Sequence, residues 1–92
     1  MANVKRPLPV ELCTGWPESP STNPSAEVVR QFALNVRSAI GDSSVRSAAE
    51  ACGLSHVTVL NALNGKSWPD AWTISNLERG LGAELWPRQA AG

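Results

Sequence analysis

The fold of this chain is decided by the stretch Val45-Arg-Ser-Ala-Ala-Glu-Ala-Cys-Gly-Leu-Ser-His-Val-Thr-Val-Leu-Asn-Ala-Leu-Asn-Gly65. Gly53 lies at its centre and can take the left-handed conformation that ends a helix. Ala48 and Ala49 give the preceding helix a small inner face, which lets a second helix cross it closely. The stretch therefore predicts two short helices that meet at a steep angle over a glycine turn, the layout of a helix-turn-helix.

The second helix of this pair has one apolar and one mostly polar side. Ser55 precedes it, and a serine hydroxyl can accept from the free amides of a first helical turn. At helical spacing the inward positions are Val59, Ala62 and Leu63. The outward positions are His56, Val57, Asn61 and Asn64.

The stretch resembles the λ-repressor-like superfamily. The residues that carry the match are Ala49, Gly53, Leu54-Ser55-x-x-Thr58-Val59 and Asn64-Gly65-Lys66. Residues 53–66 look most like headpieces of the lac-repressor type. Pro69 followed by Thr73-Ile74-x-x-Leu77-Glu78-x-x-Leu81-Gly82 is similar to the fourth helix of phage-repressor and Cro-like domains. The resemblance covers residues 25–87, and it places the chain with phage-repressor-like domains.

This resemblance implies sequence-specific binding of double-stranded DNA by a small transcriptional regulator, with a recognition helix over 55–64 in the major groove. It puts His56 and Val57 at the first base-facing positions and Asn61 one turn later. Asn61 suits adenine, His56 a guanine acceptor and Val57 a thymine methyl. Phosphate contacts are expected from Ser55, Thr58, Asn64 and Lys66, and from Ser44 and Arg46 at the preceding helix. Leu60 is left open between packing on the first helix, touching a thymine methyl and lying exposed.

The flanking sequence predicts two further helices. Asn23-Pro24 is typical of a helix start, and an inward stripe follows at Val29, Phe32, Ala33, Val36 and Ile40 before Gly41. Either Ser43 or Ser44 can cap the next helix. Asp70 is expected to cap a last helix whose Ile74, Leu77 and Leu81 face inward before Gly82. The predicted fold is all-α: a compact bundle of four to five short helices around a central helix-turn-helix, preceded by a Pro-rich N-terminal arm.

Proline marks the start of the chain, because five of the seven prolines lie in the first 24 residues. Proline removes an amide donor and disfavours helix before it, so we expect an extended or flexible arm over 1–22, the DNA-binding domain over 23–87 and a tail over 88–92. Trp16 in the arm either folds back or waits for a partner, and folding back is favoured because an exposed indole is costly. From a length of 92 residues we expect no small-molecule effector domain.

Charge argues against a strong general attraction to nucleic acid. Eight Lys and Arg balance eight Asp and Glu, whereas DNA binders usually carry a basic face. We therefore expect the positive groups that matter to be local: Lys5, Arg6, Arg46 and Lys66. The other arginines, Arg30, Arg37, Arg79 and Arg88, are interleaved with acids and are expected to be solvated surface.

The remaining composition limits the chemistry. Cys13 and Cys52 offer one disulfide, but Cys52 shares the inner face of its helix with Ala48 and Ala49, which favours a buried free thiol. No metal site is expected, because Cys13, Cys52 and His56 lack the paired spacing of zinc ligands, and no cofactor is implied. We expect no membrane span and no signal peptide, hence a cytoplasmic protein.

Three classes of function are compared, and the sequence supports two of them. The first is the DNA-binding regulator, expected to act as a homodimer on a palindrome because one headpiece reads few base pairs. The second is a protein-interaction module or antitoxin-like partner protein that keeps the helix-turn-helix scaffold with weak or no DNA binding, for which zero net charge is the main argument. An enzyme is not indicated, since the chain has one histidine and no evident carboxylate pair or nucleophile with its base.

Overall fold

A computed structural model of the protein describes residues 6–87. Within them are four α-helices and no strand: α1, Pro24–Ile40; α2, Val45–Cys52; α3, His56–Leu63; and α4, Ala71–Leu81. A short 3₁₀ helix, Pro9–Leu12, precedes them. The predicted all-α bundle is confirmed. Lys5, Arg88 and the tail predicted over 88–92 lie outside the described residues.

Each α-helix begins at a side-chain cap that the sequence indicates. Asn23 accepts from the Ala26 amide, Ser44 from Ser47, Ser55 from Thr58 and Asp70 from Thr73. Each bond occupies an amide that would otherwise lack a partner in the first turn. Of the two candidate serines, Ser44 is the one that caps α2.

The core lies where the inner faces of the four helices meet. Its large buried side chains are Phe32, Val36, Val59, Leu77 and Leu85. The stripe predicted on α1 is buried along its whole length, and α2 packs against both α3 and α4. Trp86 adds a tilted ring contact with Phe32, their centroids 5.4 Å apart. Burial of this apolar surface is the main term that stabilises the bundle.

Gly80 allows α4 to approach α2 closely. A Cβ built at this position would lie 2.5 Å from Cys52 Sγ and 2.7 Å from Cys52 Cα. Any other residue type would therefore force the two helices apart. The sequence pattern gave no sign of this contact, because a glycine inside a helix normally indicates only a weaker helix.

The N-terminal segment, residues 6–22, is not extended as the prolines suggested. Its 3₁₀ helix packs on α1, and Pro9 and Cys13 are buried. Proline is favourable at the first positions of a helix, where its missing amide costs nothing, and Pro9 occupies such a position. The prediction that Trp16 folds back is confirmed, because its indole Nε1 donates to Leu63 O at 3.0 Å.

The burial of Arg30 differs from what the sequence predicted. It was expected at the solvated surface, but it is only 8% exposed. Its guanidinium donates Nε and Nη2 to the Glu27 carboxylate at 2.9 and 2.7 Å, and Nη1 to Pro17 O at 2.9 Å. Burial of this arginine is tolerated because it is paired and hydrogen-bonded in the bidentate geometry that suits a guanidinium. The missing information was the position of Pro17, which the sequence left in a mobile arm.

Both cysteines are buried and carry no disulfide, as predicted for Cys52. Burial raises the pKa of the Cys52 thiol, which keeps it protonated. None of the helices in the described part of the chain has the length and apolar character needed to cross a membrane.

Candidate nucleic-acid interface

The turn between α2 and α3 is built by Gly53. Its φ and ψ are 67° and 30°, the left-handed region. The Gly53 amide donates to Glu50 O at 3.2 Å, and the Leu54 amide donates to Ala49 O at 2.9 Å. These two bonds form a Schellman motif, in which the residue after the glycine, here the half-buried Leu54, packs back on the helix. The turn therefore fixes the angle at which α3 leaves α2.

The start of α3 is held by two side chains. Ser55 Oγ accepts from the Thr58 amide at 3.2 Å and lies 2.9 Å from Thr58 Oγ1. Both hydroxyls are thus already engaged with each other. They retain further hydrogen-bonding capacity, because a hydroxyl has one donor and two acceptor positions.

One side of α3 is open to solvent. Val59 and Ala62 are buried and Leu63 packs against the core, whereas Val57 is 54% exposed and Leu60 is 37% exposed. Val57 and Asn64 are seven residues apart, nearly two turns, so they project in almost the same direction. Leu60 and Asn61 lie on either side of that line. The outward face of α3 consists of Val57, Leu60, Asn61 and Asn64.

Leu60 is the residue of this face that the sequence left open. Its partial exposure removes it from the core and places a branched apolar side chain next to Val57. Positions 57, 60, 61 and 64 follow the i, i+3, i+4, i+7 pattern of one helical side, but that spacing alone does not decide between exposure of Leu60 and packing on α1.

All nine residues predicted to contact DNA are at least partly accessible. Exposed are Ser44, Arg46, Ser55, Val57, Asn64 and Lys66, and half-buried are His56, Thr58 and Asn61. The structure brings Val57, Asn61 and Asn64 onto one face. Ser44 and Arg46 belong to a different element, the N-terminus of α2.

Thr58 lies on the flank of α3 that faces α4. With Asn61, Ser67, Asp70 and Thr73 it lines an open groove of about 260 Å³. Hydrogen bonds from the Thr73 amide and hydroxyl lower the pKa of Asp70, so this carboxylate is negative at neutral pH. A DNA phosphate on this flank would be repelled by the Asp70 carboxylate, because both groups are negative.

Four cations within 6–87 form no ion pair in that range. The ion pairs there use Arg30 and Arg37, which leaves Arg6, Arg46, Lys66 and Arg79, and Arg79 hydrogen-bonds to Ser75 and Asn76. Arg6 lies 5.9 Å from the centroid of the Trp68 ring. Lys66 follows α3 directly and is exposed.

The N-terminal segment contacts the C-terminal end of α3 and the turn that follows it. Trp16 contacts Leu63 and Gly65, and Val10 donates to Gly65 O at 2.9 Å. Val57, Leu60 and Asn64 stay exposed beside these contacts. The segment therefore supports α3 and leaves its outward face uncovered.

No family model, curated protein or solved structure matches the chain.

Proposed function

We propose that this chain is a cytoplasmic, sequence-specific double-stranded DNA-binding protein, a small regulator of the phage-repressor type. The observation that carries the proposal is the uncovered outward face of α3, held at a fixed angle by the Gly53 turn. A single helix of this size fits the major groove, where base edges can be distinguished. In this arrangement α3 lies in the groove and α2 lies across it.

Each part of the face has a distinct role in the proposal. Asn61 pairs through its amide with an adenine, and Val57 and Leu60 contact thymine methyl groups. His56 donates to a guanine acceptor from the flank of the helix. Ser44, Arg46, Ser55, Thr58, Asn64 and Lys66 contact phosphates and set the register. Of these, Thr58 has the least favourable position because Asp70 lines the same groove.

The zero net charge sets the strength of binding. Phosphate neutralisation supplies most non-specific affinity, and the proposed phosphate contacts include only two cations, Arg46 and Lys66. We therefore expect weak non-specific binding and a small dependence on salt. Specificity then depends on the base-facing side chains of α3.

A salt titration of duplex binding tests the proposal. With two phosphates per chain neutralised by Arg46 and Lys66, the logarithm of the binding constant falls with the logarithm of salt with a slope of about 2. Arg79, on α4, offers a control, because Arg79→Ala removes a cation that hydrogen-bonds to Ser75 and Asn76. Arg46→Ala lowers the slope by about 1 and Arg79→Ala leaves it unchanged.

A protein-interaction module on the same scaffold is the second candidate. The observation that favours it is the pair of exposed apolar side chains, Val57 and Leu60, in a chain without excess positive charge. Failure of the protein to bind any duplex at low salt would favour this candidate and contradict the first.

A further inference from the structure

The C-terminal end of α3 depends on the N-terminal segment for its hydrogen bonds. The last carbonyls of a helix have no partner within it. Here the Asn64 amide donates to Leu60 O at 2.9 Å and the Lys66 amide to Asn61 O at 2.9 Å. The carbonyl of Leu63 is left over, and Trp16 Nε1 donates to it at 3.0 Å. An indole from a segment 47 residues away thus completes the helix end.

The ring of Trp16 also packs on the backbone of Gly65. A Cβ at Gly65 would lie 2.8 Å from the indole, which real contacts do not allow. The Gly65 φ of 67° independently favours glycine. The indole therefore covers the turn that leads directly into Lys66.

A second pair of contacts holds the rest of this loop. Val10 donates to Gly65 O at 2.9 Å, and Trp68 Nε1 donates to Pro7 O at 2.8 Å. The loop 65–68 is thus attached to the N-terminal segment at both of its ends.

The segment is itself anchored to α1 next to Trp16. Pro17 O accepts from the buried Arg30 at 2.9 Å, and the Ser21 amide donates to Glu27 at 2.8 Å. The connection from α1 to the end of α3 is therefore continuous. A hydrogen bond joins Arg30 to Pro17, the backbone joins Pro17 to Trp16, and a second hydrogen bond joins Trp16 to Leu63 O. Groups held from both sides in this way keep a defined position.

We infer that Trp16 is a positioning residue of the DNA interface: it holds the last turn of α3 and Lys66 in the geometry that contacts DNA. This inference rests on the proposed function. Trp16 itself does not touch the nucleic acid. It limits the conformations of Asn64 and Lys66 in the free protein, so that less conformational entropy is lost when these residues bind DNA.

Two substitutions separate the parts of this contact. Trp16→Phe keeps an aromatic ring on Gly65 and removes the indole N–H, whereas Trp16→Ala removes both. Arg79→Ala is the control, because Arg79 is exposed on α4 and, within 6–87, hydrogen-bonds only to its helix neighbours Ser75 and Asn76. Hydrogen exchange without DNA should show the Gly65 and Lys66 amides about fivefold faster in Trp16→Phe, and faster again in Trp16→Ala. The Val36 amide in α1 should be unchanged, which shows that the fold persists.

Duplex binding then tests the positioning itself. Trp16→Ala should weaken binding about tenfold and lower the salt slope by about 1, as if Lys66 were lost. In a Lys66→Ala background the same substitution should have a much smaller effect, because the residue that it positions is absent. Trp16→Phe should fall between wild type and Trp16→Ala, and Arg79→Ala should match wild type.

The outcomes distinguish this inference from the proposed function. Unchanged exchange at Gly65 and Lys66 in both Trp16 variants overturns the inference. So does faster exchange with unaltered affinity and salt slope, or full additivity with Lys66→Ala. If wild-type protein fails to bind any duplex while exchange responds as expected, the proposed function fails, and the positioning role fails with it.

Discussion

Glu27 joins the N-terminal segment to α1 through its two carboxylate oxygens. They accept from Arg30, Gln31 and the Ser21 amide, and the bonds to Arg30 contribute most in lowering the pKa of Glu27 from 4.5 to about 2. A carboxylate whose pKa is lower in the folded than in the unfolded chain stabilises the folded state at pH values above its unfolded pKa. This contribution is complete above pH 4.5 and is lost as the pH falls through about 2.

Glu27→Gln should therefore lower the free energy of unfolding at pH 7 by up to about 3 kcal/mol and leave a buried Arg30 without its charge partner. It should also flatten the loss of stability between pH 4.5 and about 2. Urea denaturation at several pH values measures both effects. Glu18→Gln is the control, since its pair with Arg37 is more than half exposed and should contribute under about 1 kcal/mol. Equal effects of the two substitutions would contradict this assignment.

Two glycines, Gly53 in the turn after α2 and Gly80 in α4, are required for different physical reasons. At Gly53 a Cβ has open space, so Gly53→Ala should cost only the strain of the left-handed conformation, about 1 to 2 kcal/mol. At Gly80 the backbone is ordinary, but a Cβ meets Cys52, so Gly80→Ala should cost about 1 to 3 kcal/mol through separation of α2 and α4.

Replacement by asparagine distinguishes the two mechanisms, because asparagine tolerates the left-handed region better than alanine does. Gly53→Asn should recover part of the stability lost in Gly53→Ala. Gly80→Asn should be worse than Gly80→Ala. Denaturation midpoints measure both, and recovery at position 80 would show that the close helix contact is not what selects glycine there.

At the scale of the element, the caps and inward stripes were predictable from the sequence because they depend on neighbours along the chain. Asn23, Ser55 and Asp70 cap the helices that they precede, and the stripe of α1 is buried. The interior position of Arg30 was not predictable, since its partner Pro17 O comes from a segment whose path no local pattern specifies. Gly80 was missed for the same reason: its contact is with another helix.

The candidate site also contains some features that depend on neighbours along the chain and others that depend on the folded path. Helical spacing identified His56, Val57, Asn61 and Asn64 as outward; Val57 and Asn64 are exposed, and His56 and Asn61 are half-buried. It left Leu60 open, because a position at the edge of the apolar side is decided by what packs beside it. The bond from Trp16 to Leu63 O depends on the folded path of the N-terminal segment, so only the general tendency of an indole to fold back was foreseeable.

Substitution of Asn61, in α3, and of Lys66, just after it, should affect DNA binding in different ways. Asn61→Ala should cost about 1 to 3 kcal/mol on the preferred duplex and relax the preference at one base position. Lys66→Ala should weaken all sequences alike. Competition between duplexes that differ at single base pairs measures the difference. If Asn61→Ala keeps the full base preference, α3 does not read DNA in the orientation proposed.

At the scale of the whole molecule, we propose that two copies bind one palindromic site, since one chain of this size reads few base pairs. Trp72 and Trp86 are exposed aromatic side chains that a second copy can cover. Sedimentation should show a 2:1 complex with a duplex carrying two half-sites about 34 Å apart. Trp72→Ala should weaken assembly while leaving the binding of a single half-site unchanged. A 1:1 complex at saturation would contradict the dimer.

The zero net charge of the chain affects how the proposed specificity arises. With little general attraction to phosphate, the contrast between a preferred site and other DNA depends on the few side chains of one helix.

The most direct test of the central claim is to follow the backbone amide signals of the protein by NMR during titration with a duplex selected from a random library. We expect the largest changes at 55–66 and at the N-terminus of α2, with small changes along the exposed side of α1. Changes confined to α4, or no change with any duplex at low salt, would contradict it.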